Sequence, residues 1–375
     1  MTVRRAERPY DWPNLRIVAE SPDRMHLDWL DEFLNPSFAA ESSRGGDYCV
    51  RLVPDTERYR QASESCFADG KVDVFVQDTS VVRLPAVRVR GHWEVFDENY
   101  RAVYRVGDLD SPIEIIHPGT GAAVRGGLMR VVRELAMNHA WQEGDYILHA
   151  ACVNLDHRGV IIAGPKGAGK TTLLVHLLGA DNAQYVTNDR LLVRTQDGSA
   201  EVRGVPTIVC LREELFRFFP GLRERLMDGW YRWLLTLKEC SAKPHPPPRP
   251  WPDGRIGISP AQFCALLSRP AVESANPRTV VFPEITRRAG SVNLTPLSAE
   301  ETASRLLASL FAAGHGTIRS SLFGNQTRQP QDRRDLTEAC ADLARSVQGY
   351  RCELGLDVTY DRSDARLLGE KLSGE

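Results

Sequence analysis

The sequence contains no apolar run that approaches the ~18 residues needed to span a membrane, so it does not predict a transmembrane helix. Its first residues, "MTVRRAERPYDWPNL", carry positive charge with no apolar stretch behind them, which is not the pattern of a secretory signal. The formal net charge is only −2, so the composition gives no general attraction to nucleic acid or to anionic membranes. We therefore expect a cytoplasmic protein that binds neither nucleic acid nor membrane.

The sequence also lacks any cysteine spacing typical of a metal site. Its eight cysteines are scattered, and no C-x-x-C pair or Cys/His spacing joins them. Most of them stand among apolar residues, which favours reduced, buried thiols over zinc ligands. Hydrophobic residues make up 42% of the 375 residues and charged residues 26%, which indicates an ordinary globular protein of two domains, or of one large domain with additions.

The sequence pattern changes near residue 120. Up to about residue 118, short alternating or apolar segments such as "CVRLV" and "VDVFVQ" are separated by Gly, Pro and Asp, as in β-rich domains. From Ala123 onward, apolar residues recur at the spacing of an amphipathic helix: Leu128, Val131, Val132 and Leu135. We therefore predict an N-terminal β-rich α+β domain over residues 1–120 and a second domain over residues 121–375.

Two later stretches carry local structural signals. Ser298 and Glu301 form a capping box before a helix whose inward-facing residues are expected to be Leu306, Leu307 and Leu310. The proline-rich stretch from Lys243 to Gly254 cannot form a helix or a central strand. It predicts a stiff surface loop, with a docking site for a proline-binding module as the alternative.

Residues 160–179, "VIIAGPKGAGKTTLLVHLLG", carry the strongest motif. The residues from Gly164 to Thr171 match the pattern G-x-x-x-x-G-K-[ST] in full. A predicted strand (Val160–Ala163) precedes them and a predicted helix (Thr172–Leu178) follows, which is the context that the pattern requires. Glycines there permit positive φ and let backbone N–H groups approach a phosphate, and the helix N-terminus adds its positive dipole end. We predict a nucleoside triphosphate site formed by Gly164, Pro165, Lys166, Gly167, Ala168, Gly169, Lys170, Thr171 and Thr172.

The motif gives roles to individual residues but does not choose a reaction. We expect the Lys170 ammonium to bind the β- and γ-phosphates and the Thr171 hydroxyl to coordinate Mg²⁺. Lys166 occupies a variable position, where it either contacts the γ-phosphate or points into solvent. ATPases, GTPases, kinases and switches share such loops, although no guanine-reading N/T-K-x-D sequence follows a later strand here.

Two elements beside the motif bear on the chemistry. Leu148-His149-Ala150-Ala151 lies on the strand before the loop, with His149 fifteen residues ahead of Gly164. Thr187-Asn188-Asp189-Arg190 ends a strand that follows the helix of the loop. In a parallel arrangement, strand ends beside a phosphate loop direct their side chains towards the γ-phosphate. An acid there can hold Mg²⁺ or accept the proton of an attacking hydroxyl.

This constellation resembles the C-terminal catalytic domain of HPr kinase/phosphorylase and its relatives, whose fold is related to phosphoenolpyruvate carboxykinase. The matching features are His149 on a strand, the loop from Gly164 to Thr171, and the strand end Asn188-Asp189-Arg190. The resemblance covers about residues 145–195. It extends loosely to the C-terminus through the stretches "VVFPEI", "PLSAEETASRLLASLF" and "YRCELGL". These stretches look like those of HPr-kinase-related proteins from peptide natural-product clusters. It implies an α/β fold with a P-loop kinase core of that type and ATP and Mg²⁺ as cofactors, whereas the N-terminal domain matches no family.

The resemblance also implies roles for the flanking residues. Asp189 would act as metal ligand, as base or as both, with an acid of a strand-end turn as the alternative. His149 would lie near the phosphate acceptor or form a hydrogen bond with Asp189, with a hydrogen-bonded core residue as the alternative. Asn188 stands where the family has an acid, and its amide oxygen can coordinate Mg²⁺ or orient a water but cannot accept a proton. Independently of the resemblance, Arg190 either pairs with a nearby acid or neutralises phosphate. Arg319 and Arg328, in a glycine-rich stretch, are candidates for a clamp that closes over the site.

The function expected from these residues and from the resemblance is an ATP-dependent kinase that phosphorylates a hydroxyl, namely a serine of a peptide or small protein. No segment matches the one that the bifunctional enzymes use for phosphorolysis, which favours a one-way kinase. Two alternatives stay open: a nucleotide-dependent regulatory module with little catalysis, which Asn188 would suit, and a kinase for an amino acid or a sugar. The N-terminal domain would recognise the acceptor, and the resemblance is compatible with a homo-oligomer.

Overall fold

The computed structural model divides the chain into two compact units. The described residues are 5–38, 46–67, 70–77, 80–108, 111–119, 123–196, 198–219, 221–227, 255–286, 292–311, 321–324, 335–355 and 362–373. Unit 1 contains the described residues up to Glu143 together with the short helix Ser321–Gly324, and unit 2 contains the other described residues from Gly144 onward. The proline-rich stretch 243–254, Arg319 and Arg328 lie outside the described residues.

Both units contain helices and strands. From the N-terminus the elements of unit 1 are β1 (Ala6–Trp12), β2 (Leu15–Ser21), α1 (Arg24–Leu34), β3 (Tyr48–Pro54), α2 (Thr56–Cys66), β4 (Lys71–Gln77), β5 (Ser80–Val89), β6 (His92–Asp97), β7 (Ala102–Val106), β8 (Ile113–His117) and α3 (Ala123–Gln142). Then follow β9 (Tyr146–Leu155), β10 (Arg158–Ala163), α4 (Lys170–Leu177), β11 (Ala183–Thr187), β12 (Arg190–Gln196), β13 (Ser199–Val205), β14 (Val209–Leu211), α5 (Leu215–Phe218), α6 (Leu222–Met227), β15 (Ile256–Ile258) and α7 (Pro260–Leu267).

The chain ends with β16 (Ser274–Ala275), β17 (Pro277–Thr286), β18 (Asn293–Leu297), α8 (Ala299–Ala308), α9 (Ser321–Gly324, in unit 1), α10 (Leu336–Ser346), β19 (Gln348–Gly355) and α11 (Arg362–Ser373). The expected α/β fold class is confirmed at the level of a mixed α/β architecture, and the described residues form more than one sheet. Among the helices of the described residues, none is long and apolar enough to cross a membrane.

Unit 1 is built on an eight-stranded sheet, counted over the described residues, in the order β1-β2-β3-β8-β7-β6-β5-β4. β2, β3 and β8 run parallel to one another, and the other neighbouring strands pair antiparallel. Helices cover both faces, because adjacent residues of β7 contact different helices: Tyr104 lies against Gly127 of α3, and Val103 packs with Ala62 of α2. α1 packs beside α3.

Unit 2 is built on a nine-stranded mixed sheet, again over the described residues, in the order β16-β13-β12-β9-β10-β17-β19-β18, with β11 paired to β9. β10, β17 and β19 run parallel, so their carboxyl ends share one edge. β9 runs antiparallel to β10, and the turn between them uses positive φ at Asp156 and His157. In β17, Val281 packs in the core with residues of α4 and α11, whereas the ring of the next residue, Phe282, contacts Arg305 of α8. Neighbouring side chains of a strand point to opposite faces, so helices cover both faces of this sheet too.

Helix α8 begins at the predicted capping box. The Ser298 hydroxyl oxygen accepts from the backbone N–H of Glu301, and the Glu301 carboxylate accepts from the backbone N–H of Ser298, both at 3.2 Å. Leu306 is buried as expected, but the expectation for Leu307 is wrong, because this side chain is 36% exposed. Successive helical residues are about 100° apart, so the turn that buries Leu306 directs Leu307 towards solvent. Leu310 is buried beyond the end of the helix.

The end of β11 approaches β13 so closely that Gly204 has no room for a side chain. A methyl group on Gly204 would overlap the backbone carbonyl oxygen of Val186 and lie 3.2 Å from Cβ of Thr187, where β11 ends. A backbone carbonyl cannot rotate away as a side chain can. We therefore expect Gly204→Ala to lower the free energy of unfolding by roughly 1–3 kcal/mol.

The matched control is Gly369→Ala in α11. Its methyl group would lie 3.8 Å from Cβ of Ala180 and from Cδ1 of Leu155, an ordinary contact distance. Because alanine favours a helix over glycine by up to ~1 kcal/mol, this variant should be as stable as the wild type or more stable. Urea unfolding followed by circular dichroism gives both values, and equal stability of the two variants would contradict the close approach at Gly204.

Candidate functional site

The glycine-rich motif forms the turn between β10 and α4. The strand ends at Ala163 and the helix begins at Lys170. The three glycines between them all adopt positive φ: 145° at Gly164, 87° at Gly167 and 106° at Gly169. Residues with a side chain rarely adopt such angles, so the path of this loop depends on glycine. Gly169 is also the N-cap of α4 and makes no side-chain cap, so the first N–H groups of the helix are not covered by a capping side chain.

The loop is packed tightly against the edge of the sheet. A Cβ on Gly169 would lie 3.0 Å from Cγ1 of Ile285 and 3.1 Å from Cδ1 of Leu354. These two residues stand near the carboxyl ends of β17 and β19, the strands parallel to β10. A larger residue at position 169 would therefore push the loop away from the sheet, in addition to straining its backbone.

Lys170 lies within the loop rather than in solvent. Its side chain is buried, and Nζ donates to the carbonyl oxygens of Gly164 at 2.7 Å and Pro165 at 3.2 Å. Thr171, the next residue, is half-buried, and Thr172 is buried. The structure thus brings the ammonium group, the Thr171 residue and the glycine backbone of the predicted nucleotide site together.

His149 and Asp189 lie next to each other beside this loop. Ala150 pairs with Ala163, the last residue of β10, so His149 lies level with the start of the loop. On the other side of β9, His149 pairs with Arg190, the first residue of β12. Nε2 of His149 is 2.9 Å from Oδ1 of Asp189. The expected parallel arrangement is wrong for β9, which is antiparallel to β10, β11 and β12. The register between β9 and these strands brings the two side chains together.

The environment of Asp189 keeps its carboxylate ionised. Burial by itself would raise the pKa of Asp189. The hydrogen bond and charge interaction with His149, together with the charges of Arg190 and Lys170, outweigh burial and hold the pKa below its usual value. The effect of Lys170 links the carboxylate to the glycine loop. A carboxylate that is ionised at neutral pH can hold a divalent cation or accept a proton.

Phe311 belongs to the same site, although no sequence pattern indicated it. Its buried ring stands edge-on to the His149 ring at 6.2 Å between centroids, and the guanidinium carbon of Arg190 lies 4.7 Å from its centre. The backbone N–H of Phe311 donates to Ile147, and that of His149 donates to Ser309. Residues 309–311 therefore pair with the first half of β9, which β10 does not reach. These partners are far apart in sequence, so no local spacing could reveal the contact.

Two hydrogen bonds hold the amide of Asn188. Its oxygen accepts from the Tyr185 hydroxyl at 2.7 Å, and its nitrogen donates to the carbonyl oxygen of Ile208 at 3.3 Å. Tyr185 is a second residue near the site that no motif indicated. An amide oxygen has two lone pairs, so the bond from Tyr185 is compatible with metal coordination by Asn188, which stays a prediction.

The chain is only distantly similar to known proteins. No protein-family model matches the chain, and no curated protein matches it. Solved structures do match, among them the Hpr(Ser) kinase/phosphatase from Coxiella burnetii, with 14% sequence identity and a TM-score of 0.21. The match covers 38% of this chain and 59% of that chain, so this chain spans less than two thirds of the solved protein. The roles of His149, Asn188, Asp189 and the loop residues stay predictions.

The His149–Asp189 contact can be measured as a coupling energy. Both side chains are less than a third exposed, at 17% and 27%, so we expect a double-mutant cycle of His149→Ala and Asp189→Ala to give a coupling of roughly 1 kcal/mol at pH 7. Because the pKa of Asp189 lies below its usual value, this stabilisation is present at neutral pH and is lost only as the pH falls through that lowered pKa. The coupling should therefore persist at pH 5.

The control for this cycle is the exposed pair Arg366 and Glu370 on α11, whose side chains are 73% and 43% exposed. An exposed i,i+4 pair contributes little, so its coupling should stay below about 0.5 kcal/mol. Urea unfolding at pH 7 and pH 5 measures both cycles. A His149–Asp189 coupling that vanishes between these two pH values would contradict the lowered pKa of Asp189.

Proposed function

We propose that this protein is an ATP-dependent, Mg²⁺-requiring kinase that transfers the γ-phosphate to a hydroxyl group, namely a serine of a peptide or small protein. The observation that carries the proposal is the position of the Asp189–His149 pair. The pair lies level with the start of the glycine loop, and the charge of Lys170 within that loop acts on Asp189. Phosphoryl transfer needs a phosphate cradle and a group that positions the nucleophile at one place.

The loop supplies the phosphate cradle in this proposal. Backbone N–H groups of the loop and of the first turn of α4 would bind the phosphate oxygens, helped by the helix dipole. Lys170 now donates to the carbonyl oxygens of Gly164 and Pro165. An ammonium group has three donors and rotates freely, so it would turn to the β- and γ-phosphates when ATP binds. Charge neutralisation there favours the loss of ADP as leaving group.

The oxygen atoms of side chains near the loop are suitable ligands for a magnesium ion. Mg²⁺ prefers oxygen ligands and keeps several waters and phosphate oxygens, so one or two protein ligands suffice. The Thr171 hydroxyl and the ionised carboxylate of Asp189 are such ligands, with the amide oxygen of Asn188 as a further one. When bound, the ion would neutralise charge on the β- and γ-phosphates.

The chain's own residues would then direct the transfer. The acceptor hydroxyl oxygen forms a bond to the γ-phosphorus, the bond from that phosphorus to the bridging oxygen of ADP breaks, and the hydroxyl proton passes to Asp189. The His149 Nε2–H holds the carboxylate in place through the 2.9 Å contact. A low pKa makes Asp189 a weak base, but the loose transition state of phosphoryl transfer depends more on positioning and charge than on base strength.

The acceptor is proposed from the family resemblance of the motif residues. HPr-kinase-related proteins of peptide natural-product clusters suggest a peptide serine, and unit 1, which carries none of the loop residues, would recognise that peptide. An amino acid or a sugar is the alternative acceptor, and the size of the phosphorylated product separates the two.

A second candidate function is favoured by Asn188. This residue cannot accept a proton, and its amide is held by Tyr185 and Ile208. A site with one acid would suit a regulatory module that binds a nucleotide and signals its state with little catalysis. Such a module binds ATP as tightly as a kinase does but forms no phosphorylated product.

The test is mass spectrometry of products after the protein is mixed with Mg-ATP and the peptides encoded beside its gene. We expect a peptide heavier by one phosphate, with ADP released only when the acceptor is present. Lys170→Ala should lower the rate by about 10²-fold or more, because it removes a charge that faces the transferred group. Asp189→Asn should have an effect of similar size, and the exposed Lys371→Ala in the same unit should have none.

The possible results discriminate between the candidates. Phosphate on a peptide that disappears with Lys170→Ala would establish the kinase and its acceptor. ATP bound but intact with every acceptor would favour the regulatory module. A wild-type rate in Asp189→Asn would contradict the role given to the carboxylate, whatever the acceptor.

A further inference from the structure

A second feature of interest lies in unit 1, at the carboxyl ends of its three parallel strands. β2, β3 and β8 pair side by side, so Ser21, Pro54 and His117 end at one edge of the sheet. β2 and β8 continue into α1 and α3, which pack together, whereas the central β3 continues into α2 on the opposite face. In open α/β sheets, a crevice outside the strand ends where the connections diverge is the usual ligand position.

His117 places a buried hydrogen-bond donor at this edge. The residue is 3% exposed, and its Nδ1 accepts from the backbone N–H of Gly119 at 3.2 Å. Because neutral imidazole carries one proton, that proton is on Nε2. Within the described part of the chain, Nε2 has no hydrogen-bond partner. A buried N–H donor without an acceptor is costly, so this geometry calls for an acceptor atom at the edge.

His26 of α1 faces the same place. Its ring stands edge-on to the His117 ring at 6.3 Å between centroids, and its Nδ1 is 3.0 Å from the Ser21 hydroxyl oxygen. The Ser21 hydroxyl donates its proton to the carbonyl oxygen of Asp23 at 2.8 Å, so Nδ1 of His26 must be the donor to Ser21. Neutral His26 therefore has its lone pair on Nε2, and protonation turns that atom into a second donor.

Charges of both signs lie near the pair, and the half-exposed carboxylate of Asp23 is 3.9 Å from Nε2 of His26. The buried charge and the tautomer of His117 favour an anion over a metal ion. Arg125, in the first turn of α3, is buried, and its positive charge acts on His26. The proton on Nε2 of His117 blocks the lone pair that a metal would need, since Nδ1 is engaged with Gly119. Among the described residues, no group of three or more His, Cys, Asp or Glu side chains could hold a metal ion.

We propose that His117, His26 and Arg125 form an oxyanion-binding site for a phosphate- or carboxylate-type group of a ligand. His117 donates from Nε2, His26 takes up a proton from solvent and donates from its own Nε2, and Arg125 supplies a fixed positive charge. This site belongs to unit 1 alone and does not depend on the kinase activity proposed for unit 2.

The proposal predicts that anion binding and protonation of His26 strengthen each other. Burial lowers the pKa of His26. The Asp23 carboxylate, 3.9 Å from Nε2 of His26, raises this pKa, and the charge of Arg125 lowers it further. Burial and the neighbouring His26 lower the pKa of His117 to about 4, so His117 stays neutral over the pH range of the test. A bound anion favours the charged form of His26 and should raise its pKa by about one unit, which equals tenfold tighter binding to the protonated form.

The experiment is NMR of the full-length protein labelled with ¹³C-histidine, titrated with sodium sulfate and, separately, with sodium acetate between pH 5.5 and 8. Sulfate keeps its charge over this range and represents a phosphate-type group, whereas acetate represents a carboxylate. The signals are assigned with His117→Gln, which keeps a donor near the Nε2 position, and with His26→Asn. We expect saturable shifts of the His117 and His26 signals, and binding that weakens by up to about tenfold from pH 5.5 to pH 8, because the pKa of free His26 is lowered.

Controls separate this site from the glycine loop, which also attracts sulfate. Lys170→Ala should leave the shifts of His117 and His26 unchanged, and the exposed His157 of unit 2 should not shift. His117→Leu should abolish saturation at His26. If that variant fails to fold, the wild-type titration and His117→Gln, which should retain binding, still decide the question. No saturable shift with either anion, or binding that is the same at pH 5.5 and 8, would overturn the proposal.

Discussion

Strand β9 holds the candidate site of unit 2 together, because its two halves pair with different partners. Its second half pairs with β10 and β11, whereas its first half pairs with β12 and with the stretch 309–311. Side chains alternate along a strand, so a slip of one residue would turn His149 to the opposite face and away from Asp189. The pairing of β9 thus fixes the acid, the imidazole and the start of the glycine loop in one geometry.

Local features of this fold were predictable from sequence, and contacts between distant segments were not. The glycine loop, the capping box of α8 and the change of pattern at Ala123 depend on neighbouring residues, and each has its expected local structure. The pairing of His149 with Asp189 was one of two expected arrangements. Phe311 and Tyr185 could not be found, because their roles depend on strand register. Leu307 was misplaced because the helix turns it outward.

An amide at position 188 has an electrostatic consequence for the acid that follows it. Two carboxylates at one place repel each other, and one of them then tends to keep its proton. Asn188 adds no negative charge, and the Tyr185 hydroxyl fixes its orientation. Asp189 can therefore take the full effect of His149, Arg190 and Lys170 and stay ionised. In the proposed kinase, a magnesium ion would meet one protein charge less and would depend more strongly on the phosphates of ATP.

Each unit, taken by itself, carries its candidate site at the carboxyl ends of parallel strands, but the donors differ in kind. The loop of unit 2 offers backbone N–H groups, which donate at every pH, and a lysine ammonium. The edge of unit 1 offers two imidazoles, and Nε2 of one of them, His26, becomes a donor only when the ring is protonated. If unit 1 recognises an anionic group of the phosphate acceptor, acceptor binding should strengthen as the pH falls while nucleotide binding changes little. The pH dependence of the two affinities would then separate acceptor recognition from the chemistry of transfer.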